Sequence, residues 1–334
     1  MSDDAAFADL VAPYRGELHA HCYRMLGSAH DAEDALQETL LRAWRALSRF
    51  EGRSSLRSWL YTIATNTCLT HLQRRPKRTL PVDFGPAADA ANGLGVPPEE
   101  TVWLEPYPDA GLGYEQREGV ELAFIAALQH LPATQRAVLI LREVLGFSAA
   151  ETAEVLDTTV ASVNSALQRA RKAVEERTPE RSQQATLRAL GDERLRAIVE
   201  RFIDAMRRAD VDAVVAMLAE DAAWSMPPLS AWFGGRDGVR AFLASGPLSG
   251  EWRWRHLQTS VNGQAAVATY HWDETQDAYL PFALDVMTLE GDRIRQITAF
   301  VARTSELDDF SRWPEAPLAG WLDFTAFGVP AQLR

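Results

Sequence analysis

Leu131 to Val174 reads LPATQRAVLILREVLGFSAAETAEVLDTTVASVNSALQRARKAV. Ser148 followed three residues later by Glu151 is a capping box opening a short helix. Asp157-Thr158 makes a tight turn, and Thr159 caps a longer helix from Val160 on. Two helices joined this way form a helix-turn-helix, whose second helix suits the major groove of DNA. Thr159, Ser162, Asn164, Ser165, Gln168 and Arg169 fall on its polar side and can bond phosphates or base edges. Arg171 and Lys172 suit phosphates, while Val163, Ala166, Leu167 and Ala170 pack inward. A plain helical hairpin would carry the same spacing, and the motif alone does not say which kind of DNA-binding protein holds it.

The chain of 334 residues is long enough for two or three domains. Its net charge of −12 argues against a protein that coats nucleic acid unaided. That total hides a basic stretch. Between Arg42 and Val82 nine basic residues stand against one acidic residue, Glu51, the footprint expected of a DNA contact. Two cysteines, Cys22 and Cys68, lie in apolar helical patterns and read as buried thiols in a cytoplasmic protein. His19, His21 and Cys22 have no second pair at zinc-like spacing, and no phosphate loop appears, so no metal or nucleotide cofactor is expected. No apolar run approaches membrane length, and the acidic start Met1–Leu10 does not read as a signal peptide.

Residues 5–75 read as helical. Leu36, Leu40, Ala43 and Leu47 form one stripe behind a Ser28 cap, and Leu56, Leu60, Ile63 and Thr67 another behind Ser55. Residues 76–114 hold seven prolines and read as a linker. Its cluster Trp103-Leu-Glu-Pro-Tyr-Pro108 is too aromatic for a passive spacer and is expected to dock. Residues 115–177 are helical and 178–192 a second linker, partly helical. Residues 193–305 change to two helices followed by strands over Trp252–Gln258, Ala265–Trp272, Phe282–Leu289 and Ile294–Ala302, an α+β order. Residues 306–334 form an aromatic tail with Trp313, Trp321, Phe324 and Phe327, expected to fold back onto the protein.

Asp31-Ala-Glu-Asp-Ala-Leu-Gln-Glu-Thr-Leu-Leu-Arg-Ala-Trp44 and Phe50-Glu-Gly-Arg-Ser-Ser-Leu-Arg-Ser-Trp-Leu-Tyr-Thr-Ile-Ala-Thr-Asn66 resemble region 2 of sigma-70 family transcription initiation factors. The helix-turn-helix resembles region 4. The short spacing, with no domain between, resembles the extracytoplasmic-function group. The resemblance implies that Asp31, Asp34, Gln37, Glu38 and Leu41 bind the β′ clamp helices of core RNA polymerase, with further contact to the β subunit. It implies that Phe50, Gly52, Arg53, Ser54, Arg57, Tyr61 and Asn66 melt and read the promoter −10 element, where aromatic surfaces hold unstacked bases. The region 4 residues named above would read the −35 element. Glu51 departs from the family pattern, which bears on the local base preference, and Ala166 departs in region 4, so promoter affinity is expected to lean on tethering by polymerase.

Arg201-Phe-Ile-Asp-Ala-Met, Leu218-Ala-Glu-Asp-Ala-Ala-Trp224 and Gly235-Arg-Asp-Gly-Val-Arg-Ala-Phe-Leu243 resemble a SnoaL-like domain, a cone-shaped α+β fold around a cavity. With the Trp103–Asp109 linker they suggest the SigG-like group of sigma factors. Trp224, Met226, Trp232, Trp254, Tyr270, Trp272 and Phe282 could line an apolar pocket for an unknown small molecule. Asp285, Asp273, His271 and His256 would be candidate acids or bases, but no paired spacing stands out. Alternation puts Asp285 and Met287 on one face, read as outward. The expectation is a multidomain alternative sigma factor, two all-α sigma domains followed by the α+β domain. It acts on promoter DNA with core polymerase, is not an enzyme, and is modulated by its C-terminal domain. The other readings are an operator-binding regulator and a SnoaL-like enzyme with a vestigial sigma part.

Overall fold

The computed structural model describes residues 3–52, 54–73, 77–92, 94, 103–110, 112, 117–302 and 322–334. The chain divides into two compact units. One comprises Met1–Arg78 with Gly111–Glu180, and the other Thr79–Ala110 with Arg181–Arg334.

In the first unit, helices Arg15–Leu26, Ala29–Ala46 and Leu56–Leu72 pack pairwise. Gly27 (φ 70°) ends the first of them in the left-handed region that glycine tolerates. Ser28 Oγ then accepts from the Asp31 amide at 3.0 Å and starts the next. Leu18, Cys22, Met25, Leu36, Leu60 and Cys68 fill the core. The unit's second half holds Leu122–Gln129, Ala133–Leu139 with a π-helical turn at Ile140–Val144, Ala149–Val155 and Val160–Glu175. Both halves of the capping box form, with Glu151 N to Ser148 Oγ at 3.2 Å and Ser148 N to Glu151 Oε2 at 2.7 Å. Asp157 takes φ 47° in the turn, a conformation Asp accepts more readily than most side chains. The two halves of the unit are pinned by buried arginines. Arg136 donates to the carbonyls of Gln129 and Leu131 at 3.1 and 3.2 Å and to that of Met25. Arg24 Nε donates to Gly119 O at 2.8 Å.

The second unit is built on a six-stranded sheet in the order β2-β1-β6-β5-β4-β3. Its strands are β1 Leu218–Ser225, β2 Trp232–Gly234, β3 Trp254–Val261, β4 Gln264–Asp273, β5 Ala278–Glu290 and β6 Arg293–Val301. Only the β1–β6 pair is parallel. Asn262-Gly263, with φ 57° and 68°, turns β3 into β4, the two-residue loop whose paired positive φ values match strand twist. Helices Asp192–Arg207, Val211–Ala216 and Gly235–Ser245 supply Val199, Phe202, Val215, Val239 and Phe242 to a core with sheet residues Val267, Met287 and Ile297.

Both expected linkers join this fold. Helix Gln183–Leu190 is tied to β5, as Gln183 Nε2 donates to Leu289 O and its Oε1 accepts from Leu289 N, both at 2.8 Å. In the Pro-rich stretch, Trp103, Leu104 and Tyr107 are buried. Tyr107 N donates to Asn262 Oδ1 at 2.8 Å, and Asn262 N returns a bond to Tyr107 O at 2.9 Å. Ala88 N donates to Trp232 O at 2.7 Å, and Trp232 Nε1 to Gly85 O at 2.8 Å. Buried aromatics and paired amides hold the described part of this stretch, whose helical turns Pro81–Phe84 and Ala90–Asn92 are too short to leave a periodicity to read. Residues 322–334 of the tail join the domain as well. Leu333 exchanges two backbone bonds with Tyr279, and Phe324 meets Tyr270 edge-on at 5.3 Å. Phe310, Trp313 and Trp321 lie outside the described residues, as do Arg53, Arg74 and Arg75.

Candidate functional sites

Helix Ala29–Ala46 presents Asp34, Gln37, Leu41 and Trp44 to solvent. Leu41 and Trp44 are 47% and 45% exposed, large for apolar side chains. Glu38 stands at the edge of this face. His71 Nε2 bonds its carboxylate at 3.0 Å and, with Arg42, holds it below the usual carboxylate range. Asp31 is not on the face. It is 2% exposed and bonded by Arg78 at 2.8 Å, because its position, unlike that of Asp34, lies at the inner border of the stripe. Trp44 belongs to the quoted motif but was not named as a contact. Its spacing of three from Leu41 was the available signal.

The −10 candidates divide. Phe50 lies against Trp59 with ring centroids 4.9 Å apart and the ring planes tilted by 34°. Gly52 has φ 69° and open space around it, and Ser54 and Asn66 are exposed. Tyr61 is fully buried, edge-on to His21 and to Phe147 at 5.1 and 5.5 Å. Arg57 pairs with Glu17 at 3.2 Å and lies over the rings of Tyr61 and Phe147. Burial, aided by Glu17, pushes the Tyr61 phenol up. On the helix-turn-helix, Thr159, Ser162, Asn164, Ser165, Gln168, Arg169, Arg171 and Lys172 are all exposed, and Val163, Ala166, Leu167 and Ala170 are buried. Thr159 Oγ1 accepts from Ser162 N at 3.1 Å, and Arg171 pairs with Glu143 at 2.6 Å.

The second unit contains a cavity of about 200 Å3. Trp224, Met226, Trp254 and Phe282 line it, with Phe233, Phe242, Trp252, Thr269 and Asp285. Trp232, Tyr270 and Trp272 do not. Trp232 holds the linker, Tyr270 meets the tail, and Trp272 meets Tyr279 at 5.0 Å. The alternation of β4 puts Tyr270 and Trp272 on the opposite face from Thr269 and His271. Asp285 and Met287 face inward, contrary to the expectation, because helices cover the face they share. Asp285 is 3% exposed, and Thr269 Oγ1 donates to its Oδ2 at 2.6 Å. Burial pushes its carboxyl up to about 6, the Thr269 bond opposing. Burial also lowers His256 to about 4, but it lies outside the cavity lining. Linker residues Ala90 and Leu94 complete the wall, and nothing in their sequence announced it.

Residues 10–78 match the family model for sigma-70 region 2, residues 121–174 that for sigma-70 region 4, and residues 199–297 that for a SnoaL-like domain. The ECF RNA polymerase sigma factor SigG of Mycobacterium tuberculosis is 42% identical over 315 residues, covering 89% of this chain and 82% of that protein. The chain belongs to the extracytoplasmic-function sigma factors. SigW of Bacillus subtilis, of the same group, is 30% identical but covers 52% of the chain. The crystal structure of M. tuberculosis SigJ superposes with a TM-score of 0.57 over 86% of this chain and 93% of that one, at 22% identity, and so shares the fold. This sigma factor thus carries its SnoaL-like domain as part of one chain, and no helix among the described residues is long and apolar enough to cross a membrane.

Proposed function

We propose that this sigma factor binds core RNA polymerase through the face formed by Asp34, Gln37, Leu41 and Trp44, with Glu38 at its edge and Asp31 bracing it from within. The observation that carries this is the exposed Leu41–Trp44 pair beside acidic side chains, since exposed apolar patches with a polar rim mark interaction surfaces. Phe50, Gly52, Ser54 and Asn66 are in position to meet a melted −10 element, and the recognition helix to enter the −35 major groove. Arg57 and Tyr61 reach DNA once their contact with Phe147 opens. The C-terminal domain modulates initiation by holding the linker between the two sigma regions, and it binds rather than catalyses, since Asp285 has no acid–base partner among the cavity-lining residues. The protein works in the cytoplasm.

In vitro transcription with core polymerase on a pool of genomic promoters tests this. The full-length protein is expected to start transcripts at one promoter class. Leu41→Glu with Trp44→Ala is expected to weaken core binding by roughly 30-fold, the loss typical of a buried aromatic anchor of about 2 kcal/mol. Absence of core binding by the unaltered protein would replace this function with operator binding.

A further inference from the structure

Among the described residues, Arg136 of the first unit is a buried cation without a counter-ion. It is 4% exposed. Every group it bonds is neutral: the carbonyls of Met25, Gln129 and Leu131, and the side-chain oxygen of Gln129 at 2.6 Å. Those oxygens take its Nη donors, and its Nε, also buried, has no hydrogen-bond partner among the described residues. Burial pushes the guanidinium down to about 10, so it keeps its charge at neutral pH. Carbonyl dipoles do not cancel a full charge, and burying an ion without an opposite one is costly.

A cavity of about 330 Å3 lies against Arg136, far larger than one water, whose share of the liquid is about 30 Å3. Lys77, Arg78 and His130 share its wall. Asp31 is the one carboxylate among the described lining residues, and Arg78 bonds it at 2.8 Å. Lys77 is exposed, and its Nζ donates to His130 Nδ1 at 2.7 Å. Three cations against one carboxylate leave the wall with an excess of two positive charges. The wall also belongs to both halves of the unit. Asp31, Lys77 and Arg78 lie in the stretch that matches region 2, and Gln129, His130 and Arg136 in the stretch that matches region 4.

We propose that this cavity binds a small phosphate dianion, free or as the terminal group of a phosphate ester, which supplies the counter-ion that Arg136 lacks and is held by Lys77 and Arg78. Guanidinium and ammonium groups suit phosphate oxygens as charge-assisted donors. An anion that touches both halves favours the packed arrangement over a parted one by as much as it binds the packed one better. The site stands without the proposed function. Its consequence for initiation rests on that function, because the anion would oppose the opening that frees Arg57 and Tyr61 from Phe147.

The test titrates full-length protein with inorganic phosphate and with adenosine diphosphate by calorimetry, with sodium chloride at matched ionic strength as the reference. Phosphate is expected to bind and chloride is not. Lys77→Gln should weaken phosphate by about tenfold, the loss of one hydrogen bond between charged groups, and Lys77→Arg should keep it. Arg136→Gln should abolish binding, and if that variant does not fold, Lys77→Gln decides alone. Saturating phosphate should slow hydrogen exchange over residues 25–31 and 129–136 together. Adenosine diphosphate binding at least as tightly as phosphate supports the site with an ester as occupant, and its exclusion while phosphate binds supports it with the free anion. Absence of phosphate binding, the same response to sodium chloride, or an unchanged affinity in Lys77→Gln overturns the site. Slower exchange in one half only overturns the bridging of the two. No step involves polymerase or promoter, so failure of this site and failure of the sigma-factor function are told apart.

Discussion

The region 2 and region 4 halves of the first unit are built from similar helices and are exposed very differently. On the recognition helix of region 4, all eight polar candidates face solvent. In region 2, Tyr61 is buried, Arg57 is engaged with Glu17 and Phe147, and Asp31 is sealed under Arg78. The recognition helix packs on its neighbours through its apolar stripe, with Arg171 paired to Glu143 at its far end, and the rest of its polar face is exposed. The helix Leu56–Leu72 is packed by both halves of the unit, so the availability of its side chains depends on whether those halves stay together. Region 4 reads as a finished surface, and region 2 as a surface partly held in reserve.

The largest test of that difference removes the pin between the halves. Arg136→Met leaves the carbonyls of Met25, Gln129 and Leu131 without their donor. At about 1–3 kcal/mol for each orphaned group, the first unit should lose about 3 kcal/mol or more, read by urea unfolding. A smaller loss would mean that the halves are not joined through this residue.

The second test uses pH. Burial lowers His21, beside Tyr61, to about 3 against an ordinary value of 6.5. The folded state thus resists the proton and the unfolded state accepts it, so this stability is present above about pH 6.5 and drains away as pH falls toward 3. The slope should approach about 1.4 kcal/mol per pH unit, and His21→Gln should remove it. Asp285 in the second unit has the opposite sign. Its raised carboxyl favours the folded state at low pH and loses that advantage as pH rises from about 4 through about 6. Asp285→Asn should therefore stabilise the second unit at pH 7 more than at pH 4, by up to about 3 kcal/mol, as seen in thermal melts.

Smaller effects sharpen the picture. Asn262→Ala orphans the buried Tyr107 amide and places alanine at φ 57°. The linker segment 103–109 should become easier to cleave in limited proteolysis, by about 2 kcal/mol of local opening. Phe147→Leu keeps an apolar side chain but removes the ring contacts to Tyr61 and Arg57. About 1 kcal/mol is expected, visible as faster hydrogen exchange over residues 56–67. No change there would make the reserve of region 2 independent of region 4.

Much of this was legible along the chain. The capping box at Ser148–Glu151, the Thr159 cap and the apolar stripe at Val163, Ala166, Leu167 and Ala170 follow from contacts three or four residues apart, so local spacing reveals them. The four long strands and the α+β character of the last domain were likewise periodic. Asn262-Gly263 is itself a residue pair favoured in two-residue hairpin turns. Strands β1 and β2 went unassigned because the first is broken by a register shift between Leu218 and Ala223 and the second spans three residues.

Local sequence thus determined the helices, their caps, the recognition face and the family. The tertiary structure alone decided that Asp31 and Tyr61 turn inward, that Asp285 enters a cavity, and that the described linker residues between 79 and 110 and tail residues 322–334 join the C-terminal unit. Each of those outcomes depends on partners between 16 and 155 residues away, as with Thr269 for Asp285 and Asn262 for Tyr107. Periodicity reports which side of an element is apolar, but which of two apolar or mixed faces is covered depends on what the rest of the chain brings against it.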